Sequence, residues 1–229
     1  WGTEPRYVDY GRIYESRFDV LSKAKERGWK RDKQKVNAFI ERNSRWLADY
    51  ALFMALKRHF GMKSWTEWED EDIRLRKPAA MAKYRELLRE DIELFTYIQY
   101  LFFEQWTKLK AYINGLGIGI IGDIPIYVAM DSADVWAEPE FFQLDEKNLP
   151  VEVSGVPPDD FSAEGQLWGN PLYDWDKMQS DGFGWWIRRI DGAGKMYDVI
   201  RIDHFRGLAS YWAVPYGETT AKNGKWRTG

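Results

Sequence analysis

The run Val199-Ile200-Arg201-Ile202-Asp203, followed by His204-Phe205-Arg206-Gly207, holds the residues best suited to chemistry. It reads as a short buried strand that breaks into a polar, glycine-ended loop. Side chains alternate across a strand, so Val199, Arg201 and Asp203 share one face and Ile200 and Ile202 the other. Residues i and i+2 lie about 6.5–7 Å apart at Cα. A guanidinium at that range favours an ionised carboxylate. Arg201 is therefore expected to keep Asp203 charged, as a nucleophile must be. The same pair also fits a buried ion pair that only fixes packing.

A second carboxylate stands in a comparable place. Ile118-Gly119-Ile120-Ile121 is an apolar run without alternation, the mark of a parallel strand covered on both sides. Asp123 is expected just past its end. In parallel α/β folds chemistry gathers at the carboxyl ends of strands. Asp123 and Asp203, 80 positions apart, can then meet in one pocket. Capping of the next backbone turn is the competing role for Asp123.

The elements that must position these groups are mostly helical. Residues 1–15 read as irregular, with Ser16 capping a helix that ends near Gly28. A second helix is expected over 30–42, with Val36, Phe39 and Ile40 inward. A third runs from Asn43 or Ser44 to Gly61. Pro78 opens a fourth, with Met81, Tyr84, Leu87 and Leu88 inward. Phe95, Ile98, Phe102, Trp106, Leu109 and Ile113 recur at 3, 4, 4, 3 and 4, predicting a core-facing helix over 86–114. Asp131–Trp136 reads as a helical turn and Asp145–Asn148 as a surface turn. Residues 153–175 are rich in Gly, Pro and Asp, and their aromatics argue against disorder. They read as an ordered loop over a pocket. A helix follows around Trp185–Met196.

Four stretches resemble one enzyme family. They are Arg201–Gly207; Gly122–Ala129 with Asp131–Trp136; Gly155–Phe161; and Gln166–Tyr173. Together and in this order they are similar to the 4-α-glucanotransferases called amylomaltases or disproportionating enzymes, retaining members of the α-amylase superfamily. The likeness is good over about 44–229 and looser before. It implies an α/β fold: a partial (β/α)8 barrel of the TIM type, with inserted subdomain loops and several long helices. Residues 1–115 would be a helical insertion and 116–130 a barrel strand. Residues 131–196 would be an inserted loop subdomain, and 197–229 the nucleophile strand with its following loop. It also places a barrel strand end near Trp46–Tyr50, where periodicity alone gives helix.

Retaining glycosyl transfer needs two carboxyl groups about 5–5.5 Å apart, a nucleophile and an acid that then turns base. The resemblance implies Asp203 as nucleophile, Arg201 as its partner, and Asp123 as a ligand of the sugar being cleaved. It implies that Trp168 contacts substrate, and that Asp159 and Phe161 belong to a mobile loop over the acceptor side. His204 could hydrogen-bond a sugar hydroxyl or be merely structural. The loop aromatics could equally anchor the loop. The family's acid/base glutamate and transition-state aspartate belong to motifs that this sequence does not contain. The chain is thus expected to be an internal piece of a longer enzyme, opening on Trp1 and inactive alone. An α-glucan hydrolase is the alternative within the class. A carbohydrate-binding module is the alternative outside it.

Composition narrows the field. Net charge is −3 with mixed signs and a pI of about 5.6, which argues against nucleic acid. There is no cysteine, and His59 and His204 are the two histidines, so no zinc spacing occurs. No calcium-loop spacing is visible, and the resemblance implies no cofactor. No apolar run of about 18 residues suggests a membrane span. With no leader-like start, a cytoplasmic protein acting on maltooligosaccharides and other α-1,4-glucans is expected. The 13 Trp, 13 Tyr and 12 Phe suit sugar faces, and suit a large core as well.

Overall fold

The structure is a computed structural model that describes residues 4–229. The expectation for the opening Trp1 lies outside the described residues. In chain order the helices are α1 (Tyr10–Gly28), α2 (Lys33–Arg42), α3 (Leu47–His59), α4 (Glu71–Arg74), α5 (Pro78–Leu87), α6 (Arg89–Gly115), α7 (Ala133–Ala137), α8 (Trp175–Ser180) and α9 (Gly184–Met196). The strands are β1 (Ile121–Pro125), β2 (Glu152–Val156), β3 (Gln166–Pro171), β4 (Val199–Asp203), β5 (Ser210–Pro215) and β6 (Lys225–Thr228). The chain forms two compact units. One comprises the described residues up to Gly61 with Pro78–Gln105; the other comprises Met62–Lys77 and Trp106–Gly229.

The first unit is helical. Its core joins Val36, Phe39, Leu47, Tyr97 and Tyr100. α1 starts earlier than expected because Asp9, not Ser16, caps it, accepting the Arg12 N–H at 3.0 Å. The segment 47–59 is helix, as its periodicity requires. Ile40 and Leu87, expected inside, are exposed. Each stands beside a residue that is buried or nearly so, and 3.6-residue periodicity leaves room for one of the two on the inner face.

The second unit carries all six strands of the described residues. β1 and β4 pair in parallel as a two-stranded sheet, and the other four form an antiparallel sheet ordered β3-β2-β5-β6. Residues 153–175, expected as a loop, thus contain most of β2 and all of β3, and end on the first residue of α8. Their alternation is hidden by Gly155, Gly169 and Pro171. The buried strand expected at 118–121 is displaced: β1 begins at Ile121, which is 70% exposed, and Asp123 sits mid-strand. β4 has the expected bounds but alternates exposed and half-buried residues instead of being buried throughout. The stripe on α6 is core-facing only in part. Leu94–Tyr97 and Tyr100 are buried, whereas Phe102 and Leu109 are exposed.

The aromatic excess mostly serves packing. Trp65, Trp68, Trp136, Trp185 and Trp186 are buried, while Trp168 and Trp226 are exposed. No helix among the described residues is long and apolar enough to cross a membrane.

Candidate active site

The β1–β4 register decides the geometry. Asp123 pairs with Arg201 and Pro125 with Asp203, so Asp123, Arg201 and Asp203 lie on one face of two adjacent strands. Arg201 grips Asp123 with a two-point fork. Its Nε donates to Oδ1 at 3.0 Å and its Nη2 donates to Oδ2. The Asp123 carboxyl is held below the usual carboxylate range, chiefly by these hydrogen bonds. The Arg201 guanidinium is stabilised in return.

This differs from the expected pairing of Arg201 with Asp203. Strand neighbours lie about 4.8 Å apart, closer than residues i and i+2 along one strand. The nearer carboxylate takes the fork. Asp203 accepts no hydrogen bond among the described residues and reaches Arg201 only through its charge. Its oxygens are left available.

His204 turns the chain immediately after Asp203. Its φ of +53° is left-handed, and the 3-10 turn Phe205–Leu208 follows. Gly207 lies within this turn, closely packed from two sides. A Cβ there would stand 2.7 Å from Ile126 Cδ1 and 3.1 Å from the His204 ring. The loop after β4 is thereby seated against the residue after β1. The His204 ring meets Trp168 edge-on, with centroids 4.8 Å apart at 88°. Burial holds the His204 pKa below its ordinary value, against the opposing pull of Asp203.

Trp168 belongs to β3, and its indole donates to Gln166 Oε1 at 3.1 Å. Asn170 of the same strand donates to the Val128 carbonyl at 3.0 Å, tying the antiparallel sheet to the loop after β1. The β2–β3 connection carries Asp159 and Phe161. Asp159 Oδ1 accepts the amides of Phe161 and Ser162 at 2.9 and 2.7 Å, and Ser162 Oγ donates to the Gly165 carbonyl at 2.7 Å. This ordered tip presents Phe161 with 99% of its surface exposed.

Contact or register therefore gathers Asp123, Arg201, Asp203, His204 and Trp168. Asp159 and Phe161 stand apart on the hairpin tip, and Asp159 is occupied in holding that tip together. The sequence reading missed Arg189 of α9, which binds the carbonyls after Asp123. A signal was present: Trp185 and Trp186 precede it by four and three residues, the helical spacing for stacking on a guanidinium. No cluster of three or more His, Cys, Asp or Glu among the described residues could hold a metal ion.

A sequence model of the family described as 4-alpha-glucanotransferase matches residues 2–229. The chain belongs to the 4-alpha-glucanotransferase family. A family member from Clostridium butyricum is 49% identical over the whole chain, which covers 47% of that relative. A chloroplastic/amyloplastic 4-alpha-glucanotransferase of Solanum tuberosum is 43% identical over 97% of the chain, covering 39% of the relative. The amylomaltase of Streptococcus agalactiae, solved in complex with acarbose, superposes with a TM-score of 0.95 at 46% identity. That match covers 99% of this chain and 46% of the other. The chain thus spans just under half the length of these bacterial family members.

Proposed function

We propose that this chain supplies the nucleophile side of a 4-α-glucanotransferase that passes α-1,4-glucan segments between maltodextrins with retention. The observation that carries the reading is the division of labour on β1 and β4. Arg201 is committed to Asp123, and Asp203 is left with free oxygens on the same face. In this reading β1 and β4 are strands of a partial (β/α)8 barrel, and residues 131–196 are an insertion between them.

The Asp203 carboxylate attacks C1 of the donor glucosyl unit. The C1–O bond breaks as a carboxylic acid protonates the departing oxygen, leaving a glucosyl ester on Asp203. The 4-hydroxyl of an acceptor glucan then attacks C1, surrenders its proton to the same carboxylate and frees Asp203. In this account the acid/base carboxyl comes from the part of the relatives that this chain does not match. Asp123 and Arg201 bind hydroxyls of the cleaved unit. Trp168 offers an apolar ring to a sugar, with His204 packed against it at right angles. Phe161, on its ordered tip, covers an acceptor and excludes water, which favours a sugar hydroxyl over hydrolysis.

The test is maltotriose turnover by two proteins: the 229-residue chain, and a chimera that adds the unmatched part of the Streptococcus agalactiae amylomaltase. The chimera should release glucose and lengthen the other product, and the chain alone should do neither. Asp203→Asn in the chimera should lower turnover by at least about a thousandfold, the scale of losing a covalent nucleophile. Turnover that survives Asp203→Asn, or glucose without longer products, would overturn the nucleophile or the transferase assignment respectively.

A further inference from the structure

We infer that Arg189 is a positioning residue that holds the carboxyl end of β1 in the register that aligns Asp123 and Asp203. Its guanidinium donates to the Ile126 carbonyl at 2.8 Å, to the Pro125 carbonyl, and to the Tyr173 hydroxyl at 3.0 Å. Tyr173 in turn donates to the same Ile126 carbonyl at 2.6 Å. Pro125 is the register partner of Asp203 and lies two residues beyond Asp123. Arg189 therefore grips the backbone at the point where both carboxylates are placed.

The strand end needs such a grip. Ladder hydrogen bonds run out at Pro125, and among the described residues β1 has one strand neighbour, β4. Carbonyls there require other donors. The cation is itself fixed: it stacks on Trp185 and Trp186 at 5.5 and 5.0 Å, and the Asp134 carboxylate lies within electrostatic reach. Tyr173 and both tryptophans are buried, so the clamp is anchored in the core of this unit. A planar fork that serves three oxygens while stacking on indoles is a task for arginine; lysine offers a single point charge. The inference rests on the transfer reading for its catalytic meaning and on geometry alone for the positioning.

The test uses the 229-residue chain with carbon-13 in its aspartates, following the Asp123 carboxyl by NMR as pH is lowered. Arg189→Met should shift the Asp123 titration upward, because a loosened strand end misaligns it with Arg201. Arg189→Lys should fall between Met and wild type. Met178→Ala, a truncation of a fully buried core residue in α8, should lower the melting midpoint and leave Asp123 unmoved. An unchanged Asp123 in Arg189→Met, or an equal shift in Met178→Ala, would overturn the inference. If Arg189→Met does not fold, Arg189→Lys decides by the same criterion. A shifted Asp123 beside a chimera indifferent to Asp203→Asn would keep the positioning role and remove the transfer reading.

Discussion

The two sheets of the second unit solve opposite problems. The antiparallel sheet sustains itself. Val153 and Val214 pack with Ala221, while Ser154 and Ala213 are sealed in the same strands. The β1–β4 pair does not. Parallel strands normally have both faces covered, and two strands alone are marginal. Here Ile121 and Val199 are 70% and 54% exposed, on the face that carries Asp123, Arg201 and Asp203. The charged cluster is thus mounted on the weaker element, which is held from outside. Asp198 pins its start, Arg189 its end, and Gly207 the loop beyond. Trp168 and Phe161, which need only present a surface, stand on the stronger one.

The sharpest way to break the contrast is to damage the self-sufficient sheet. Gly165 has φ +68°, and a Cβ there would lie 2.3 Å from the Val156 carbonyl oxygen and 2.9 Å from Ala221. Neither backbone nor a core alanine can move aside. Gly165→Val should cost about 2–5 kcal/mol, adding left-handed strain to overpacking. Chemical denaturation checks this, and a loss within about 0.5 kcal/mol would show that the hairpin is not integral to the sheet. The expected signature is collapse of the β2–β3 amide protection in hydrogen exchange.

A milder prediction concerns the start of the parallel pair. Asp198 accepts from the Ile120 amide and Asn114 Nδ2, both at 2.8 Å, and pairs with Lys110 at 3.0 Å. These partners, the Ile120 amide first, hold its pKa down to about 2 from the usual 3.8. A carboxyl depressed in the folded state stabilises above its unfolded pKa, and the benefit fades as pH falls through its folded pKa. The melting midpoint should therefore decline between about pH 4 and pH 2, and Asp198→Asn should flatten that part of the profile. An identical slope in the variant would remove Asp198 from this role.

The same contrast explains what the sequence disclosed. Local signals were legible: the bounds of β4, the helix over 47–59 and the turn at Asp145–Asn148 follow from periodicity and turn chemistry. The long-range consequences were not. The placement of Asp123 across from Arg201 is a fact of strand register, and register is set by contacts 78 positions apart. Strands β2 and β3 were hidden because their glycines and a proline mimic a loop, while pairing to β5 makes them strands. Arg189 escaped because two of its three acceptors are backbone carbonyls, which leave no trace in residue identity, so the tryptophan spacing stood without a visible target. Asp203, His204 and Trp168 all fall within the four ordered motifs. Two of those motifs supply the two sides of the His204–Trp168 contact.

The smallest expected effect lies where the two sheets touch. Trp168 packs at right angles against the His204 ring, and burial is the leading reason that the His204 pKa is low. Trp168→Ala removes that cover while leaving the Asp203 charge in place, which favours the imidazolium. The His204 pKa should then move up toward 6.5, measurable from its ring proton shifts. The fold should scarcely notice: Trp168 is 37% exposed, and an edge-on aromatic pair adds only about 0.5–1.5 kcal/mol beyond area. A downward shift would mean that Trp168 had been screening His204 from Arg206, a cation that also acts on this ring. Either direction separates cover from charge. The upward one ties the exposed tryptophan of the stronger sheet to the proton state of the residue that follows Asp203.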